Sequence, residues 1–329
     1  MDDVMNTPGF LARRKVLLTG ASATMAAVSA PVLAAASNEV SGAHSANSTS
    51  RQGVHSMSTV TVKDGTQIFY KDWGSGKPVL FSHGWPLDAD AWDAQMMFLV
   101  KKGYRVIAHD RRGHGRSGQA GHGNDMDTYA DDLATVIETL DLKELTLIGH
   151  STGGGEISHY VGRHGTKRVA RMILISAVPP LMVKTEGNPT GVPISVFDDI
   201  RKNTANNRSQ FFRELALPFY GYNRTNAKVV QGVIDEFWRE GMLGSVLGEY
   251  DCVKQFSEVD YTADLKKIDV PTLILQGDDD QIVPIDNAAR KQATLIKNSK
   301  LKVYPGASHG MCTVNSDEVN ADILAFLSA

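Results

Sequence analysis

Leu145-Thr146-Leu147-Ile148-Gly149-His150-Ser151-Thr152-Gly153-Gly154-Gly155 is the stretch whose reading decides the fold of this chain. A short apolar run of strand length breaks into glycines around a single serine, and residues of helical character follow at 156–161. Gly-x-Ser-x-Gly in that setting is the pattern of a sharp strand-to-helix turn, which lifts a hydroxyl out of its sheet. Such a turn strains the serine backbone and brings strand and helix close together, so a Cβ at Gly149 or Gly153 would clash. The helix expected from about residue 154 to 160 points its first amides back at Ser151, where they can stabilise an oxyanion. Ser151 is therefore the candidate nucleophile. The motif alone also arises by chance in loops, and the strand before it and helix after it distinguish this occurrence.

Working outward, residues 59–62 and 67–73 alternate around the turn Lys63-Asp64-Gly65 and predict a hairpin at a sheet edge. Pro78-Val79-Leu80-Phe81-Ser82 is an apolar strand ending in His83-Gly84-Trp85-Pro86-Leu87-Asp88. Beside the nucleophile strand, that loop can supply the second oxyanion amide, with Gly84 permitting close approach. A helix is expected over 88–101, a strand over 105–108, a polar turn over 110–117, a helix over 126–140 and a strand over 171–176. The charges of the polar turn read as ties that hold a loop beside the site. This cadence predicts an α/β fold with a mostly parallel sheet covered on both faces.

Between residues 181 and 269 the cadence fails. Phe197, Phe211, Phe212, Phe219, Tyr220, Tyr222, Phe237 and Trp238 crowd a region of helical spacing without clear strands. We read it as a helical cap inserted after the sixth strand, its aromatics mostly cap core and some lining an apolar acyl pocket. The parallel pattern then returns with a strand at 270–276 that ends in Gly277-Asp278-Asp279-Asp280-Gln281-Ile282-Val283-Pro284. After a helix at 286–296, a strand at 301–304 ends in Pro305-Gly306-Ala307-Ser308-His309-Gly310, and a helix at 317–327 follows. The core is thus expected over 58–180 and 270–329.

A serine hydroxyl needs a base to take its proton, and the base needs a carboxylate to fix its tautomer. Ser, acid and His, each just past the end of a strand, occur here in that chain order. His309 is the candidate base. His83 and His150 are accounted for by the two oxyanion-side loops, and His159 and His164 lie along or beyond the helix after Ser151. Asp278, Asp279 and Asp280 compete for the acid. Asp280 is preferred from its place at the tip of the strand turn, with Asp278 in reserve; no carboxylate follows the earlier strand at Ser176-Ala177-Val178-Pro179-Pro180.

The chain has 329 residues, 42% of them hydrophobic and 22% charged, with 34 basic and 37 acidic side chains. That near balance leaves no electrostatic footprint for nucleic acid or an anionic membrane and points to a small, uncharged substrate. Two cysteines, Cys252 and Cys312, exclude a disulfide framework or a cysteine-based metal cluster, and more often lie buried and separate than bridged. No cofactor or metal-ligand spacing is found, so neither is expected. At the start, Arg13-Arg14-Lys15 precedes an alanine-rich, weakly apolar run ending in Ala34-Ala35-Ala36. This resembles a twin-arginine export signal over 1–36, removed near Ala36, and implies a periplasmic or secreted protein with no stable membrane anchor after processing. Residues 37–57 are polar and read as a disordered linker.

From residue 59 to 327 the sequence resembles the α/β-hydrolase superfamily and, within it, the cofactor-free bacterial chloroperoxidases, or perhydrolases, and their arylesterase relatives. The resemblance rests on His83-Gly84-Trp85-Pro86-Leu87, on Gly149 through Gly155, on Gly277 through Pro284 and on Gly306-Ala307-Ser308-His309-Gly310. It implies Ser151, Asp280 and His309 as the triad and the Trp85 and Thr152 amides as the oxyanion hole. It further implies an acyl-serine intermediate attacked by hydrogen peroxide or water, with a small ester or carboxylic acid as substrate. The peracid so formed would oxidise halide outside the site. Pro86 either turns the Trp85 carbonyl toward that site or only stiffens the loop. A plain esterase or lactonase, or a small-molecule receptor of the same fold, are the alternatives, and a homo-oligomer is left open.

Overall fold

The computed structural model describes residues 58–329. The export-signal and linker readings lie outside those residues. The described chain folds around an eight-stranded sheet. The short edge strand β1 (Thr59–Thr61) pairs antiparallel with β2 (Gln67–Trp73), as the alternation predicted. β3 (Pro78–Ser82) then runs into a short 3-10 helix at Ala89–Trp92 and α1 (Asp93–Val100). β4 (Arg105–His109), α2 (Met126–Thr139), β5 (Leu145–His150), α3 (Thr152–His164) and β6 (Val169–Ile175) continue the alternation. Four helices follow: α4 (Ile194–Phe219), α5 (Gln231–Leu243), α6 (Val246–Ser257) and α7 (Thr262–Lys267). β7 (Thr272–Gly277), α8 (Ala289–Leu295), β8 (Ser299–Tyr304), α9 (Met311–Val314) and α10 (Ser316–Ser328) complete the chain.

The strand order is β1-β2-β4-β3-β5-β6-β7-β8, parallel from β4 onward. Central strands buried on both faces need apolar residues throughout rather than alternation, and β5 is buried at every position. At the far edge β8 alternates between exposed and half-buried residues, because only one of its faces is covered. Leu133, Val136 and Ile137 of α2 and Ile157 and Val161 of α3 pack one face of the sheet against Leu80, Leu147 and Leu174. Met96 and Leu99 of α1 and Val319 and Ile323 of α10 pack the other against Val79, Phe81, Ile148 and Ile173.

Helices α4 to α6 form a third apolar cluster in which Phe212, Phe219, Phe237 and Val253 meet Trp85, Leu87 and Val178 from loops at the carboxyl ends of the strands. The cap is thus helical and lies over those ends. Its last helix differs from the expectation: α7 packs beside α3, where Asp264 approaches Gly162 closely enough that a Cβ there would lie 1.9 Å from its Oδ1. The boundary in packing therefore precedes the boundary inferred from the missing strands. The two cysteines are both buried and free.

Candidate active site

Ser151 sits between β5 and α3 with φ 53° and ψ −119°, a backbone conformation that costs a side-chain-bearing residue about 1–3 kcal/mol. The turn is held by Ser151 N–H donating to the Ile175 carbonyl (3.0 Å) and by the Ser151 carbonyl accepting from Gly154 (3.0 Å) and Val178 (3.2 Å). Glycine is required where predicted. A Cβ on Gly149 would lie 2.5 Å from the Gly153 carbonyl oxygen, and one on Gly153 would lie 2.1 Å from that of Ser82.

At the end of β8, His309 is fully buried, and its Nδ1 lies 2.8 Å from Asp280 Oδ2. A carboxylate accepts, so Nδ1 carries the proton and Nε2 is left with its lone pair. That Nε2 is buried and has no hydrogen-bond partner among the described residues. Asp280 is aimed by its own turn: Oδ1 accepts from the amides of Ile282 (3.0 Å) and Val283 (2.8 Å), while Gln276 donates to Oδ2 at 3.4 Å. The competing acids face elsewhere. Asp278 accepts from the Gly306 amide at 2.6 Å, and Asp279 pairs with Arg224.

His150, the residue before the candidate nucleophile, contacts the candidate base. Its Nε2 lies 3.0 Å from the His309 carbonyl oxygen, and the two imidazole rings are 4.7 Å apart. Burial and the neighbouring His309 push its pKa down to about 3, so it is a neutral spacer at neutral pH. Ser151 does not hydrogen-bond to His309; nucleophile–base contacts are often long or poorly aligned outside a substrate complex.

The loop after β3 supplies the opposite wall. A Cβ on Gly84 would lie 3.1 Å from Ser151 Cβ, so the loop abuts the candidate nucleophile. His83 Nε2 accepts from the Arg111 amide at 2.9 Å, which makes Nδ1 the donor to the Gly84 carbonyl at 2.8 Å. That carbonyl also accepts from Leu87 N–H at 3.0 Å. In a trans peptide the C=O and N–H point in opposite directions, so fixing the Gly84 carbonyl turns the Trp85 N–H the other way. Neither the Trp85 amide nor the Thr152 amide has an acceptor among the described residues. Thr152 is the first residue of α3, where the helix leaves its amides free.

Behind this wall lies Glu156, for which the sequence offered no signal, set against the charges of the polar turn that read as ties. Glu156 of α3, buried, accepts from Arg111 Nε (2.9 Å) and Nη2 (2.7 Å), from Ser82 Oγ (2.5 Å) and from His109 Nε2 (3.0 Å). Burial alone would raise its pKa, but Arg111, His109 and Ser82 outweigh that and hold it down to about 2. Arg111 Nη2 donates in addition to the His83 carbonyl at 2.7 Å. The polar turn is thus tied down: Arg111 to Glu156, Arg112 to Asp132 and Asp64, and Arg116 to Asp110. Among the described residues no group of three or more His, Cys, Asp or Glu side chains is arranged to hold a metal ion. Of the aromatics expected in the cap, Phe219 stands against the His309 ring and Phe211 and Phe212 against Trp85, while Phe219 and Tyr220 line with His150 and Trp92 a void of about 20 Å³ bordered by neither Ser151 nor His309.

A family model described as the alpha/beta hydrolase fold matches residues 77–315. The chain is 62% identical over 274 residues to a non-heme haloperoxidase of Rhodococcus erythropolis, covering 83% of this chain and 100% of the relative. It is 54% identical over 274 residues to a bifunctional esterase/perhydrolase of Acinetobacter calcoaceticus, covering 82% of this chain and 99% of that protein. Among solved structures, a bromoperoxidase from Bacillus anthracis superposes with a TM-score of 0.80 at 35% identity, covering 83% of this chain and 100% of that one.

Proposed function

The chain belongs to the α/β-hydrolase fold family and, within it, to the group of non-heme haloperoxidases and perhydrolases, and from that premise we propose that it is a serine hydrolase of small esters that also uses hydrogen peroxide. Ser151 Oγ attacks the ester carbonyl as its proton passes to His309 Nε2, and the tetrahedral oxyanion is held by the Trp85 and Thr152 amides. Collapse expels the alcohol, which takes the proton from His309, and leaves an acyl-serine. His309 then removes a proton from water or from hydrogen peroxide as either attacks that acyl group. Serine is regenerated with release of a carboxylic acid in the first case and a peracid in the second. Asp280 keeps the imidazole in the tautomer this sequence needs and stabilises its charged form.

The observation that carries the reading is the buried His309 ring, its Nδ1 on Asp280 and its Nε2 without a partner, tethered through its carbonyl to the residue before Ser151. The perhydrolase half draws its support from the group to which the chain belongs. A panel of p-nitrophenyl esters of increasing acyl length, assayed with and without hydrogen peroxide, tests both halves. Ester cleavage without peracid formation would leave the esterase half standing and remove the other. We also propose that the segment before residue 58 directs export, on the strength of Arg13-Arg14-Lys15 and the alanine-rich run after it. Replacing both arginines by lysine in the full chain should then retain the protein in the cytoplasm.

A further inference from the structure

The cap meets the core most intimately at one turn. After α4 the chain passes through residues 219–224, with Gly221 at φ 72°, and in that short span it touches both loops that carry the acid–base pair. The Phe219 carbonyl accepts from the Gly310 amide at 2.8 Å, one residue past His309. The Phe219 ring stands edge-on to the His309 imidazole, centroids 4.7 Å apart at 88°. Four residues on, Asn223 and Gln281 exchange reciprocal amide hydrogen bonds of 2.8 and 3.1 Å. Arg224 donates from Nη2 to the Asp279 carbonyl at 2.5 Å, and its guanidinium is ion-paired with the Asp279 carboxylate. Asp279 and Gln281 are the two neighbours of Asp280.

We propose that residues 219–224 are a positioning element: Asn223 and Arg224 grip Asp280 from both sides while Phe219 grips His309. Seating of the cap and alignment of the acid with the base are thereby one event. The inference rests on the roles proposed above for Asp280 and His309. Within the core the stems of the two loops are bridged where Asp278 Oδ1 accepts from Gly306 and Asp278 N–H donates to Tyr304, and their tips meet through the His309–Asp280 contact itself. That bridge fixes the stems of the loops, and the cap turn fixes their tips. A cap lifted away leaves the tips held by their own turns, by the Asp280–His309 contact and by the His150 bond to the His309 carbonyl, so an enzyme open to solvent has a less firmly held base. Displacement of a reacting group by about 1 Å costs as much as a hundredfold in rate, so contacts that contribute little to stability at this exposed rim can still govern turnover.

Charge reversal tests this. With p-nitrophenyl acetate, Arg224→Glu should lower kcat about tenfold while KM stays within about twofold, because the transition state and not ground-state binding needs the aligned pair. The swap Arg224→Glu with Asp279→Arg should regain most of that loss. Asn223→Ala, a milder change on the other side of Asp280, should lower kcat by a smaller factor in the same direction. If these variants melt at lower temperature but keep the wild-type kcat, the turn only fastens the cap and the inference is overturned. If Arg224→Glu does not fold, Asn223→Ala decides alone. Stoichiometric labelling of wild-type Ser151 by a fluorophosphonate separates the two levels: no label sinks the hydrolase reading itself, whereas a labelled wild type with unaffected variants sinks only the positioning role.

Discussion

Glu156→Gln removes one negative charge from a site that water does not reach. The substitution is nearly isosteric, and it leaves the Arg111 guanidinium, 1% exposed, without its counter-ion. Breaking one partner of a buried ion pair costs about 3–5 kcal/mol. The titration of the carboxylate gives an independent figure, since a pKa held at about 2 instead of 4.5 corresponds to about 3 kcal/mol of stabilisation at neutral pH. Urea unfolding at pH 7 should therefore show Glu156→Gln less stable than wild type by about 3 kcal/mol. The contribution of a carboxylate with a depressed folded pKa is present above its unfolded value and lost as pH falls through the folded one. The difference between the two proteins should accordingly narrow between pH 4.5 and about 2. Arg111 also holds the His83 carbonyl and, through its amide, the His83 ring that fixes the Gly84 carbonyl, so kcat should fall as well. A difference below about 1 kcal/mol, or one that does not change with pH, would refute the reasoning.

Other consequences are open to simple measurement. His159 is bound on both ring nitrogens, at 2.6 Å each by Asp264 and Asp127, and although burial opposes it these carboxylates raise its pKa above 6.5. Its stabilisation is complete below 6.5 and lost as pH rises through the raised value, so melting curves of wild type and His159→Gln should differ at pH 6 and converge in alkali. Glu240 of α5 accepts from the Asp88 amide; burial and then the Asp88 carboxylate push Glu240 up, while burial and then Asp110 push Asp88 up to about 7. A raised carboxyl disfavours the folded state progressively as pH climbs above the unfolded value; Glu240→Gln should match wild type near pH 4 and melt higher at pH 8. Gly153→Ala would set a Cβ 2.1 Å from the Ser82 carbonyl oxygen, backbone against backbone, and should yield protein without esterase activity or no folded protein at all.

What the sequence disclosed was whatever the local pattern determines. The eight strands were legible because each is a short apolar or alternating run between turn residues, and the placing of Ser151, Asp280 and His309 just past strand ends, with Asp280 against His309, because each follows a strand in a fixed order. Element ends were less so. The helix expected from residue 154 begins at Thr152, since the glycines after Ser151 are helical, and the helix expected from residue 88 opens as a 3-10 helix under an Asp88 side chain that accepts from Asp90 N–H. α9, four residues immediately after Gly310, carries no periodicity that a sequence window could detect. Glu156 was illegible for a deeper reason. A glutamate in the first turns of a helix looks like any solvated face, and only the fold brings Arg111, Ser82 and His109 around it from strands and loops distant along the chain. The same holds for the cap turn at 219–224, whose partners lie some 55 to 90 residues away.

The central claim is that one serine, served by one histidine, carries the chemistry. The most direct measurement titrates the wild-type protein with a fluorophosphonate, maps the adduct by peptide mass, and assays Ser151→Ala and wild type against the same ester. The account predicts one equivalent of label, on Ser151, and a loss of turnover of about a millionfold in the variant. Label on another residue, or a variant that still turns over ester at a rate comparable to wild type, would contradict it.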